Sequence, residues 1–172
     1  MRVLVTGGVR SGKSHHAEGL LAGRDDVAYV APGPAPSAED PDWAARVADH
    51  RARRPAGWET HETTEVVGVL GAVSGAVLVD CLGTWVTGLL DGRWEAPADE
   101  IAGFVGAEAD RLAAALRVRD DVVLVTNEVG WGVVPAHRSG RVFRDALGTV
   151  NRVVADACDE VHLVVAGRVL VL

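Results

Sequence analysis

The only lysine in this 172-residue chain is Lys13; every other one of its 17 basic residues is arginine. It sits in Gly7-Gly8-Val9-Arg10-Ser11-Gly12-Lys13-Ser14, which matches G-x-x-x-x-G-K-[ST]. Glycines let backbone N–H groups close around phosphate, and a helix beginning at Lys13 would aim its positive end at the same anion. The compact ammonium of Lys13 would reach β- and γ-phosphates, and the Ser14 hydroxyl would help to hold Mg²⁺. A chance match in this composition has odds on the order of one in a thousand, before the flanking strand and helix are required. Asp80 ends the apolar run Ala76–Asp80. A carboxylate there either joins Ser14 as a second metal-holding group or caps the following helix. His50 has Arg46 four residues before it and Arg53 and Arg54 three and four after, so all four share one helical face. That grouping is either a solvated basic surface or a histidine nucleophile with guanidiniums to receive a triphosphate. Thr126, Asn127 and Glu128 follow another apolar run and point to the same crevice or to turn chemistry. Trp131, set between Gly130 and Gly132, either packs in the core or lines a large flat ligand. His15, His16, His61, His137 and His162 read as packing or surface residues.

These side chains need a scaffold that brings strand ends together. Residues 2–6, 27–31, 76–80 and 122–126 are short and apolar on both faces, as buried parallel strands are. A weaker strand is expected at 58–61. Helices are expected over 13–21, 42–53, 64–72, 84–90, 99–117 and 137–157, the 42–53 helix stopped by Pro55. The segment 32–41 holds four of the seven prolines and reads as irregular. Residues 160–165 and 168–172 form a closing hairpin turned at Ala166-Gly167. Alternation of strands and helices predicts one α/β domain over 1–172: a P-loop NTPase-like, RecA-like fold with a mostly parallel sheet, helices on both faces and an antiparallel C-terminal hairpin.

Composition narrows the function. With 48% hydrophobic and 24% charged residues the chain is globular. A net charge of −7 opposes a nucleic-acid-coating role. No apolar run approaches the roughly 20 residues of a membrane span, and the start of the chain lacks a signal-peptide layout, so a cytoplasmic location is expected. Two cysteines fit neither a disulfide scaffold nor a zinc site.

Five blocks in order resemble the bifunctional adenosylcobinamide kinase / adenosylcobinamide-phosphate guanylyltransferase family of cobalamin biosynthesis, over essentially the whole chain. They are VTGGVRSGKSHHAE, Tyr29-Val30-Ala31, ARVADHRARRPAGWETHE (45–62), LVDCLGTWVTGLL (78–90) and VTNEVGWGVVP (125–135) with the stretch that follows it. The chain departs from the family at Pro32, at Asp40-Pro41-Asp42-Trp43, and at Gly83 and Gly88. The resemblance implies that ATP or GTP phosphorylates the aminopropanol arm of adenosylcobinamide, and that GMP is then transferred from GTP through a guanylylated histidine. His50 would be that nucleophile. Arg51, Ala52, Arg53, Arg54 and Glu62 would lie near the nucleotide, with Ala31, Pro32 and Gly33 as a further nucleotide segment and Asp80 as the second acidic residue. A homotrimer-like assembly is implied too. From the residues alone, a plain P-loop kinase or a nucleotide-dependent switch module remains an alternative.

Overall fold

A computed structural model describes residues 1–172. Its strands are β1 (Arg2–Gly7), β2 (Val27–Val30), β3 (Glu59–His61), β4 (Ala76–Asp80), β5 (Val122–Val125), β6 (Glu160–Val165) and β7 (Arg168–Val171). Its helices are α1 (Lys13–Leu20), α2 (Pro41–Arg53), α3 (Val66–Ala72), α4 (Leu82–Leu89), α5 (Ala98–Arg117) and α6 (Arg138–Ala155). One sheet runs β3-β2-β4-β5-β1-β6-β7, parallel throughout except for β7, which returns antiparallel on β6. β5 separates β1 from β4, the RecA-like order. Val5 and Asp80 are both level with Val125, so the strands bearing the P-loop and the acid end together.

Alternate residues of each strand enter two apolar layers. Val3, Val5, Tyr29, Leu78, Val123 and Val125 pack with Ala17 and Leu21 of the α1 segment. Leu4, Val77, Val79 and Leu124 face the larger layer supplied by α3 to α6. Within α5, Ile101, Val105, Ala109, Leu112, Ala113 and Leu116 make one buried stripe. Asp99 and Glu100 stand in its first turn and Arg117 in its last, each favourable to the helix dipole. Fully burying one such leucine contributes about 1.5–3 kcal/mol.

Two elements stand apart from this core. α2 buries no residue. It starts at Pro41, within the stretch expected to be irregular, because Asp40 caps it by accepting a hydrogen bond from Trp43 N (2.9 Å) and proline suits the first helical turn. All four residues of β7 are exposed, so the expected covering of both faces fails at this edge. α4 begins at Leu82, two residues earlier than expected, directly after the extended Cys81. No helix is long and apolar enough to cross a membrane.

Candidate active site

The loop between β1 and α1 is shaped by close approaches. A Cβ on Gly7 would lie 2.4 Å from the Val164 carbonyl oxygen, so the strand cannot carry a larger residue there. Gly12 has φ 95°, a left-handed conformation that a side chain would strain. Ser11 N–H donates to the Gly8 carbonyl (3.3 Å), and Gly167 N–H, from the β6–β7 turn, donates to the Ser11 carbonyl (2.8 Å). The hairpin therefore braces the loop from behind. Gly12 offers no capping side chain, so the first amides of α1 are left for an anion. Lys13 Nζ donates to the Gly8 carbonyl at 3.2 Å, lying along the loop it would serve.

The second half of the site hangs on Asp80. Its Oδ2 accepts a hydrogen bond from Tyr29 Oη (3.0 Å) and lies 3.3 Å from His50 Nδ1. Burial alone would push this carboxyl up. Hydrogen bonds from His50, Ser14 and Tyr29, with the charge of His50, outweigh burial and hold it below the usual carboxylate range. An ionised carboxylate only accepts, so the His50 Nδ1 that faces it carries a hydrogen, and Nε2 is the ring nitrogen left free of that contact. Asp80 does not cap α4; Cys81 takes that position without a side-chain bond. Ser14 and Asp80 line the same cavity, and the Ser14 hydroxyl is among the groups that hold the carboxyl down. A hydroxyl and one carboxylate suit Mg²⁺, which retains waters and phosphate oxygens for its other positions. No cluster of three or more His, Cys, Asp or Glu gathers to hold a metal without such help.

The arginines divide their work. The Arg54 guanidinium stacks 3.5 Å from the centre of the Tyr29 ring and donates to Thr60 Oγ1 (3.2 Å). Arg53 faces Glu18 at 3.5 Å, and Arg51 pairs with Glu62. Arg46 makes no ion pair and faces the cavity. The histidine is thus set against a carboxylate, not among guanidiniums alone.

All this encloses one cavity of about 530 Å³. Val9, Arg10, Ser11, Gly12, Lys13 and Ser14 line it, and so do His50, Arg53 and Arg54 of the α2 segment. Ala31, Gly33, Glu62 and Asp80 come from the ends of β2, β3 and β4. Gly7, Gly8, Pro32, Arg51 and Ala52 do not line it: the glycines form the loop's base, Pro32 is buried, and Arg51 and Ala52 face outward.

The sequence model of the family described as cobinamide kinase / cobinamide phosphate guanyltransferase, CobU, matches residues 3–172. This chain belongs to that family. It is 43% identical to the bifunctional adenosylcobalamin biosynthesis protein CobU of Salmonella typhimurium, and 42% identical to the protein of that name in Escherichia coli; each alignment spans 97% of both chains. It is 37% identical to the CobP protein of Pseudomonas aeruginosa over 97% of this chain and 94% of that one. Among solved structures, the P4 protein of bacteriophage phi6 in complex with ADP aligns with 98% of this chain and 54% of that one, at 19% identity and a TM-score of 0.45.

In this CobU-family chain the cavity has further walls that its motifs do not announce. Trp43 lines it and donates from Nε1 to the Pro34 carbonyl (2.9 Å), closing the 32–36 segment on α2. Tyr29 reads as one more apolar strand residue; only its place at the strand's end hints that its hydroxyl reaches Asp80. Cys81, Thr84 and Asn127 complete the floor. Behind the P-loop, His16 Nε2 lies 2.9 Å from His162 Nδ1, and His162 Nε2 lies 2.7 Å from Glu160 Oε2. These histidines, read from sequence as surface or packing residues, couple α1 to β6. Separated by 146 residues, they carry no local signal.

Proposed function

We propose that this chain phosphorylates the hydroxyl on the aminopropanol arm of adenosylcobinamide, using ATP or GTP, and then transfers GMP from GTP to that phosphate. The products of the second step are adenosylcobinamide-GDP and pyrophosphate. The observation that carries this reading is that one cavity is lined both by a P-loop with Lys13 and by a histidine set against a buried carboxylate. Family membership supports both activities.

In the first step the P-loop amides and Lys13 would grip the nucleotide's phosphates and offset charge as it shifts during transfer. Ser14 and Asp80 would hold Mg²⁺, which supplies charge neutralisation on the phosphates. In the second step the Nε2 lone pair of His50 attacks the α-phosphorus of GTP. The bond to the bridging oxygen breaks, its electrons leave with pyrophosphate, and GMP is held through a P–N bond. A phosphate oxygen of the corrinoid then attacks the same phosphorus, and the P–N electrons return to Nε2. Asp80 keeps the Nδ1 proton in place throughout and stabilises the charge that the ring gains on attack. Arg46, open to the cavity, suits the departing pyrophosphate. One domain performs both steps. The two cysteines are unpaired, as in a reducing cytoplasm. The bare apolar strand β7 supports a homo-oligomer, a trimer by family resemblance.

The test is protein-bound GMP. GTP labelled at the α-phosphate, with Mg²⁺ and no corrinoid, should leave label that survives alkali and leaves in acid. His50→Ala should take up none and retain part of the kinase step. Label persisting in His50→Ala would refute the histidine assignment.

A further inference from the structure

The cavity's size, about 530 Å³, is that of a site for one nucleotide-sized molecule. A corrinoid sharing the reaction can bring only its reacting arm inside; its broad ring must rest on the surface at the mouth. The segment leaving the end of β5 has the character of such a rest. Val129 (38%), Trp131 (71%), Val133 (95%) and Val134 (60%) are all exposed within six residues. The segment starts at Asn127, which lines the cavity. It is also held firmly. Glu128 N–H donates to the Gly7 carbonyl (3.3 Å), and its carboxylate accepts from Thr6 Oγ1 (2.8 Å). Asn151 Nδ2 donates to the Asn127 carbonyl (3.1 Å), Arg144 to that of Gly130 (2.9 Å) and Arg141 to that of Ala136 (2.7 Å). Nothing lies within 4 Å of where a Cβ on Gly132 would stand, so a flat body can approach the backbone beside the indole.

Apolar side chains fixed in water and continuous with a reaction cavity mark a binding surface. We propose that residues 129–134, centred on Trp131, are the platform on which the corrin ring of the substrate lies while its arm passes Asn127 into the cavity. This rests on the corrinoid reading given above. The ring offers apolar faces to the indole and valines, and its rim of amides can meet the loop's peptide groups. A second copy of this chain is the rival occupant, but strand β7 already offers copies an apolar edge of their own, while the 129–134 loop begins two residues after Asn127, which lines the cavity.

Steady-state kinase assays with cobinamide as acceptor test this. Wild-type turnover is measured first; a wild-type protein that phosphorylates no corrinoid overturns the function itself and the platform with it. Given turnover, Trp131→Ala should raise KM for cobinamide about tenfold, the equivalent of about 1.4 kcal/mol. It should leave KM for the nucleotide and the rate of GMP labelling unchanged, while Trp131→Phe stays within about threefold of wild type. The exposed indole holds no core contact, and circular dichroism verifies the fold. Unchanged corrinoid KM in both Trp131→Ala and a Val133→Ser/Val134→Ser pair overturns the platform. So does a loss of oligomer in sedimentation velocity with corrinoid KM intact, which would assign the loop to a subunit contact.

Discussion

Asp80 serves two masters: its Oδ2 receives Tyr29 Oη and faces His50 Nδ1, while Ser14 reaches the same carboxylate. Asp80→Asn removes the charge but keeps the shape. The kinase step should then need more Mg²⁺ and GMP labelling should slow by about tenfold or more, since an amide can present its N–H to Nδ1 and so favour the tautomer whose hydrogen blocks Nε2. A Mg²⁺ titration of turnover and a labelling time course check both effects; unchanged values in both would leave Asp80 a structural carboxylate. Lys13→Ala should lower both activities more than about tenfold, and Lys13→Arg should not restore them, because a planar guanidinium does not fit where a compact ammonium lies along the loop. Residue identity was the most legible level of the site. Lys13 and Ser14 stand in one contiguous motif, whose loop geometry local chemistry dictates. The orientation of His50 was not legible, because it depends on Asp80, 30 positions along the chain, being level with the end of a neighbouring strand.

At the scale of elements, α2 carries His50, the residue proposed as nucleophile, yet contributes nothing to the core. Its hold on the body consists of side-chain contacts: His50 to Asp80, Arg53 to Glu18, Arg51 to Glu62, Arg54 to Tyr29 and Thr60. The Arg51 and Arg53 guanidiniums are exposed, and pairs of that kind contribute little each. Amide hydrogens of α2 should therefore exchange at least about tenfold faster than those of α5, whose stripe is fully buried. GTP should narrow the gap by engaging the cavity-facing side chains of α2. Exchange measured by mass spectrometry, with and without GTP, reads this; equal protection of α2 and α5 without nucleotide would contradict it. Periodicity found α5 and α6 within about two residues, since their apolar stripes face a core. It placed α2 within one residue; the helix begins on Pro41 because proline, an interior helix breaker, is favourable in a first turn.

Across the whole molecule, helix α1 and the late strand β6 meet behind the P-loop. Burial, then the neighbouring His162 and His15, holds His16 below the ordinary histidine range. A histidine that resists protonation when folded binds its proton more readily when unfolded. Its contribution to stability is thus present above its ordinary value of about 6.5 and is lost as pH falls through that range. The melting temperature should fall on going from about pH 7.5 to about pH 5.5, and His16→Gln should flatten that dependence. An equal slope in the variant would assign the acid sensitivity elsewhere. The parallel sheet and its closing hairpin could be read from apolar runs and one tight turn. That the hairpin's turn would donate Gly167 N–H to the P-loop at Ser11 could not, since it depends on how far β6 runs beside β1.

That a single side-chain amine serves the entire chain makes the protein its own reporter. A reagent that acylates amines has one lysine to find, and it stands where phosphate would bind. A single added mass at Lys13 therefore counts open sites directly, molecule by molecule, without any assay of turnover. Bound nucleotide would appear as the fraction of chains that stay unmodified there, so occupancy of the cavity can be weighed before it is known what is made in it.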